Sequence, residues 1–185
     1  PPRSTLFPYT TLFRSVAKLL AKAVNCTGDP KPCGECENCK QIENGTHPDV
    51  IEIDAASNNG VEEVRSLIDK VKYAPTQGQY KVYIIDEVHM MSPGAFNALL
   101  KTLEEPPAHV IFILATTEPH KILPTIISRC QRFDFTRLTD QEMVQRMQYV
   151  LKEEGKTYDD GSLELIARLA NGGMRDALSI LEQCL

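Results

Sequence analysis

Four cysteines crowd into one short segment, Cys26, Cys33, Cys36 and Cys39, spaced C-x6-C-x2-C-x2-C among Gly28, Pro30, Pro32 and Gly34, residues that turn a chain tightly. Four thiolates at this spacing can close a tetrahedral shell at about 2.3 Å around zinc and leave no coordination position open, so such a site is structural. The competing reading is a pair of disulfides, which a reducing cytoplasm disfavours. Cys130 and Cys184 stand far from the cluster in strand-like or helix-like surroundings, and His47, eight residues beyond Cys39, is expected at the surface because the four thiolates already complete the shell.

A second group sits at the end of an apolar run. Val82-Tyr83-Ile84-Ile85 leads directly into Asp86-Glu87. In an open parallel sheet, ligands bind at the carboxyl ends of the strands. There the first acid can hold a magnesium ion, usually through water, and the second can polarise the water that attacks a terminal phosphate. An isolated Asp-Glu pair also reads as two solvated acids ending a strand. His89 and His120 lie beside the same edge and read as packing or hydrogen-bonding residues rather than as an acid or base.

The elements that must hold these residues follow from periodicity. Val16 to Val24 carries Leu19, Leu20 and Val24 on one stripe and reads as a helix; Asp49 to Asp54 reads as a strand; Val61, Val64, Leu67, Ile68 and Val71 recur at helical spacing. Lys81 to Ile85 and His109 to Leu114 are apolar strands. Between them Ser92-Pro93 opens a helix through Phe96, Leu99, Leu100 and Leu103 that Pro106-Pro107 stops. A short helix near Pro124 to Ser128 precedes Gln131 to Phe135, which reads as a further strand. Near-continuous apolar strands alternating with helices argue for a parallel sheet covered on both faces. After Leu138 only helices follow, near Asp140 to Glu154, Gly161 to Ala170 and Met174 to Leu185, which places a domain boundary near Arg137. The last helix reaches the chain end without a stop signal and reads as truncated.

Composition sets outer bounds. The 185 residues are 42% hydrophobic with a formal net charge of -5, enough apolar content for a packed core and no global attraction to phosphate backbones. Contact with nucleic acid must therefore come from a local patch or from partner subunits. With no apolar run of the roughly 18 residues that span a bilayer and no secretory leader, a cytoplasmic location without membrane contact is expected.

Taken together, His89-Met90-Met91-Ser92 and Phe96 to Pro107, with Asn97-Ala98-Leu99-Leu100-Lys101-Thr102-Leu103-Glu104-Glu105, resemble the clamp-loader branch of the AAA+ ATPases, and within it the bacterial DNA polymerase III gamma/tau type. The resemblance spans residues 16 to 185. It implies a three-layer α/β/α AAA+ domain over 16–137 with an inserted zinc module at 26–39, followed by a truncated helical lid over 138–185. It implies the following roles. Asp86 and Glu87 are the Walker B acids; Thr117, with Thr116 as close competitor, is the polar sensor at the strand tip. Arg129 of Ser128-Arg129-Cys130 serves a neighbouring subunit's nucleotide in trans, and Arg175 of Gly172-Gly173-Met174-Arg175 is a second sensor on the lid. An arginine suits both places because its planar fork stays charged and bridges phosphate oxygens. Asp86, Thr117 and Arg175 would thus face ATP, with Mg2+ as cofactor and structural Zn2+ on the four cysteines. The implied partners are the delta and delta-prime subunits, further gamma/tau copies, the sliding clamp, primer-template DNA and, through regions beyond this sequence, the polymerase core. The family is often filed under the polymerase's nucleotidyltransferase activity, whereas the chemistry implied for this chain is ATP hydrolysis. Asp54 to Gly60 is also typical of gamma/tau and reads physically as a turn into a helix.

One part is absent. No GxxxxGK[ST] loop, whose amides and lysine cradle phosphates, occurs in the sequence. By the family's order it should precede Val16, where Phe7 to Ser15 stand instead; Phe13 falls near the lysine position, and Arg14 is no geometric substitute for it. Thr5 to Ser15 resembles the translation of a sequencing-adapter oligonucleotide, so residues 1–15 are read as non-native. The competing reading is natural loss of the loop, as in the non-hydrolysing delta-prime subunit, a scaffold that donates its arginine; intact Asp86-Glu87 favours gamma/tau. A stand-alone zinc protein binding nucleic acid lacks the interleaved aromatic and basic residues of a stacking surface.

Overall fold

The computed structural model describes residues 12–185; the readings made on residues 1–11 lie outside the described residues. The chain divides into two compact units, one over Leu12–Arg132 and a helical one over Phe133–Leu185.

In the first unit β1 (Val50–Asp54), β2 (Lys81–Asp86) and β3 (Val110–Leu114) form a parallel sheet in the order β1-β2-β3. Parallel strands need crossover connections, here supplied by α3 (Val61–Val71) and α4 (Pro93–Glu104). Alternation along β2 assigns its faces. Val82 and Ile84 pack with Ala17 and Ala21 of α1 (Leu12–Asn25) and with Ile42 of α2 (Glu37–Glu43). Tyr83 and Ile85 pack with Val64, Leu67 and Val71 of α3 and Ala95, Phe96 and Leu99 of α4. Helices therefore cover both faces of the sheet, and β2 is buried over Lys81 to Ile85. Ser92 caps α4 by accepting the Ala95 N–H, with Pro93 in its first turn, the start that Ser92-Pro93 predicts.

Two expectations need correction. Gln131 to Phe135 forms no strand; Phe133 is 65% exposed and Phe135 43%. Alternating apolar residues supply a face, but a strand exists only beside a neighbour that completes its hydrogen-bond ladder, and none among the described residues does so. His47 is not at the surface but 3% exposed, its Nδ1 accepting the Asp49 N–H at 3.1 Å. Burial holds its basicity below the ordinary histidine range. Helix α1 also begins before Val16, at Leu12, which puts Arg14 on the same helix as Lys18.

The zinc-type loop is tied to the sheet by polar side chains. Asn25, at the end of α1, accepts the Tyr80 N–H at 2.8 Å and donates to the Tyr80 carbonyl at 3.0 Å. Asn38 of α2 donates to the Asn25 carbonyl at 2.7 Å and accepts from Gln77 at 3.0 Å. Asp49 anchors the same connection from the other side, its carboxylate taking the N–H groups of Thr76, Gln77 and Gly78 at 2.7, 2.7 and 2.8 Å.

In the helical unit α6 (Asp140–Glu153), α7 (Asp160–Ala170) and α8 (Met174–Cys184) enclose Met143, Met147, Leu151, Leu163, Ile166, Ala167 and Leu181. Thr139 and Glu142 form a reciprocal capping box at the start of α6. The Thr139 backbone N–H, and after it the hydroxyl, hold the Glu142 carboxyl below the usual glutamate range. Thr139→Ala removes the cap acceptor and is expected to lower stability by about 1 kcal/mol at pH 7, read by circular dichroism in urea. Because the Glu142 carboxyl is depressed in the folded state, its contribution is present above the ordinary glutamate pKa of about 4.3 and is lost as pH falls below it.

Candidate nucleotide site and metal centre

The carboxyl ends of β2 and β3 lie side by side and bring the acids to the threonines. Asp86 closes β2, with its Oδ1 accepting the Glu87 N–H at 3.0 Å. Glu87 follows in the left-handed region at φ 46 and ψ 42, a conformation that costs a residue with a Cβ about 1–2 kcal/mol and persists only where surroundings hold it. The Thr117 hydroxyl donates to Glu87 Oε2 at 3.2 Å. Thr116 points to different partners: its Oγ1 accepts the Glu118 N–H and lies 3.0 Å from His89 Nδ1. Of the two threonines, Thr117 is therefore the one on the acid.

Asp86 Oδ2 is already engaged. The Arg14 guanidinium lies 3.0 Å from it and 3.9 Å from Glu52, and Lys18, one turn on, reaches Glu52 at 3.1 Å. The i, i+4 spacing of Arg14 and Lys18 puts both cations on one side of α1, a signal present in the sequence but read there only as the absence of a phosphate-loop lysine. With Arg14 in place Asp86 does not offer a free oxygen pair to a divalent cation, so this arrangement does not fit a magnesium site as it stands. The expectation on Phe13 concerns a side chain outside the described set.

Arg129 lies just beyond α5 (Pro124–Ile127), donating to the Thr125 carbonyl and pairing with Glu104 at 2.7 Å. Arg175 stands exposed in the first turn of α8, within the helical unit. The Asp54 to Gly60 segment now has a physical account. Asp54 accepts the Ala56 N–H at 2.9 Å and the Ser57 hydroxyl at 3.0 Å, while the Asn59 carbonyl accepts the Ser92 N–H at 3.1 Å and so ties the turn to the start of α4.

The four cysteine sulfurs gather within 4.8 Å of one another, with Cys26 and Cys36 at 3.9 Å. A tetrahedral zinc–thiolate shell requires sulfurs about 3.8 Å apart, a separation that Cys26 and Cys36 already have, so the set is suited to zinc. All four are free thiols in this structure. The Thr27 and Cys39 N–H groups hold Cys36 at about 5, and the Cys33 N–H lowers Cys26, whereas burial pushes Cys39 up to about 12. Backbone donors thus favour thiolate at Cys36 and Cys26, whereas burial favours the neutral thiol at Cys39. Gly28 is required by the close approach, since a Cβ there would lie 2.7 Å from the Cys33 sulfur.

Sequence comparison adds the family. Residues 6–139 match the family model described as DNA polymerase III, delta subunit, and residues 142–185 match the DNA polymerase III clamp loader subunit, ATPase lid domain. The chain is 66% identical over 92% of its length to DNA polymerase III subunit tau of Bacillus subtilis, and 52% identical over 92% to that of Escherichia coli. The chain belongs to the DNA polymerase III gamma/tau clamp-loader family. It spans 31% of the Bacillus subtilis relative and 27% of the Escherichia coli one. Among solved structures the Thermotoga maritima RuvB Holliday junction branch migration motor is similar at TM-score 0.61 and 15% identity, covering 76% of this chain and 47% of that one, which speaks to the fold alone. The parallel sheet with helices on both faces is a three-layer α/β/α architecture, and β2, which ends in Asp86, is the central one of its three described strands. His89, which bridges the two strand tips, had no distinguishing pattern in the sequence, because a histidine after two acids looks the same whether it packs or positions.

Proposed function

We propose that the complete protein is an ATP-driven motor subunit of the clamp loader in DNA replication. ATP binding closes a ring of subunits around an open sliding clamp and primer-template DNA, and hydrolysis releases them. The observation that carries this reading is the acid pair at the carboxyl end of β2 with the Thr117 hydroxyl on Glu87, in a chain of the gamma/tau family. Asp86 would hold magnesium once a phosphate loop displaced Arg14 from it, and the ion would supply positive charge for the terminal phosphates. Glu87 orients the attacking water, Thr117 restrains the Glu87 carboxylate, Arg175 contributes from the lid, and Arg129 stabilises charge in a neighbouring subunit's site. Arg129 is supported in that role by its position just past α5, where leaving Glu104 frees its fork for a phosphoryl group. The four cysteines hold structural zinc, and the neighbours are other clamp-loader subunits. Gamma/tau is favoured over a non-hydrolysing delta-prime-type scaffold by the intact Asp86-Glu87 pair and by the tau relatives.

The sequence as it stands lacks the phosphate loop, so the purified chain is expected to show no magnesium-dependent ATP turnover above buffer; brisk turnover would sink the present reading of Asp86. In the assembled ring built on a loop-bearing chain, Arg129→Ala should leave ATP binding by its own subunit intact and slow turnover at the neighbouring site by on the order of 10³. Loss of binding by the isolated Arg129→Ala subunit would contradict the trans role. A long read of source DNA across the codons for residues 1–30 separates an adapter-derived start from natural loss of the loop.

A further inference from the structure

The His89 ring is enclosed at the sheet edge, with its side chain 8% exposed, and its two nitrogens meet acids from the segments that follow β2 and β3. Nδ1 lies 3.3 Å from Glu87 Oε2 and 3.0 Å from the Thr116 hydroxyl, and Nε2 lies 3.1 Å from Glu118 Oε2. Glu118 is fixed in turn by its own N–H to Thr116 at 3.0 Å and by Lys121 at 2.7 Å. A histidine that only fills space has no need of a carboxylate at each nitrogen. Here the far side of the ring is braced by the β3 tip, and the near side meets the same Glu87 oxygen that receives the Thr117 hydroxyl. Two groups therefore converge on one carboxylate oxygen whose backbone is held in the strained left-handed region.

We infer that His89 is a positioning residue which, braced by Glu118 and Thr116, sets the direction of the Glu87 carboxylate toward the attacking water. The inference rests on the motor-subunit reading for its catalytic consequence, but the brace itself is a property of this chain. It also has a structural corollary. Glu118 precedes the 3-10 turn Pro119–Lys121, which leads into α5 and Arg129, so the brace joins the chain's own water-orienting acid to the segment that carries the arginine offered to a neighbour.

The test is made in the complete, loop-bearing chain assembled with its partner subunits. Misplacing a reacting group by about 1 Å can cost about 10²-fold, so His89→Ala should lower kcat by about tenfold to 10²-fold and change KM for ATP by less than about twofold. His89→Asn, whose amide can still donate toward Glu87, should recover much of the loss, and Glu118→Ala should lower kcat in the same direction. Unchanged kcat in His89→Ala, an equal rise in KM, or His89→Asn no better than His89→Leu would overturn the inference. If His89→Ala fails to assemble, the Asn against Leu comparison decides alone. If the wild-type assembly itself shows no turnover, the motor-subunit reading falls, and the brace is read separately from 15N imidazole shifts in the present chain. There Glu87→Gln must move the His89 Nδ1 resonance, and an unmoved resonance overturns the brace.

Discussion

Replacing Cys36 with serine is expected to abolish tight zinc binding and to melt the segment from Cys26 through α2. A serine hydroxyl stays protonated at neutral pH and cannot replace a thiolate, so the tetrahedral shell loses a ligand outright. Apart from the Asn38 bonds to the Asn25 carbonyl and to Gln77 and the packing of Ile42, little else holds this segment. Its buried members are Cys26, Cys39, Asn38 and Ile42, and two of these are themselves candidate ligands. Zinc binding in small thiolate modules supplies about 10–16 kcal/mol of apparent folding free energy, far more than this core can offer. Elemental analysis should find about one zinc per wild-type chain and none in Cys36→Ser, as a four-thiolate shell requires. Limited proteolysis should cut the variant between Cys26 and Glu43 while the wild type resists. Chelator added to the wild type should reproduce the cleavage. A variant that retains zinc, or a wild type in which the same cysteines are recovered as disulfides, would contradict the assignment.

Asp49→Asn should be the most costly single polar substitution away from the cysteines, lowering stability by about 3 kcal/mol at neutral pH. Gln77 and Gly78 both donate to Oδ2 and Thr76 donates to Oδ1, in a side chain fully removed from solvent. An amide must turn its own N–H2 toward one of those donors, leaving at least one buried N–H without an acceptor. Burial alone would raise the Asp49 carboxyl, but the N–H groups of Gly78, Thr76 and Gln77, with nearby His47, outweigh it and hold the carboxyl below its ordinary range. A depressed folded-state pKa makes the stabilisation complete above the unfolded value of about 3.9 and removes it as pH falls through the folded value. The wild-type advantage in urea midpoint should therefore be level near neutrality and shrink at acid pH below about 4. Taking the difference between the two proteins cancels what both lose when protonated cysteines release metal. An advantage that persists undiminished into strong acid would show that Asp49 acts by shape and not by charge.

Much of the architecture is legible in the residues because it follows from short-range regularities. Apolar runs of strand length mark β1, β2 and β3, and the 3.6-residue recurrence of Val61, Val64, Leu67 and Val71 marks α3. Ser92-Pro93 states where α4 begins, and the spacing of Cys26, Cys33, Cys36 and Cys39 brings four sulfurs together. The position of Asp86-Glu87 follows from strand length alone, since the acids stand where the apolar run ends.

Other features depend on what another part of the chain places opposite. Gln131 to Phe135 has a strand's pattern and no ladder neighbour among the described residues, and hydrogen-bond partners cannot be read from a segment's own side-chain alternation. His47 is polar by type and buried by circumstance, because the chain folds over it and supplies the Asp49 N–H. Arg14 meets Asp86 across 72 positions of sequence, and His89 finds its second acid in Glu118 of the next strand's tip. Residue order alone sets the alternation of strands and helices, the cysteine cluster and the acids at the strand end, since each is written in short-range spacing. Which cation neutralises Asp86, which side chains restrain Glu87, and whether an apolar segment joins the sheet were decided by tertiary structure, because charge pairing and ladder closure need groups that only folding brings within reach.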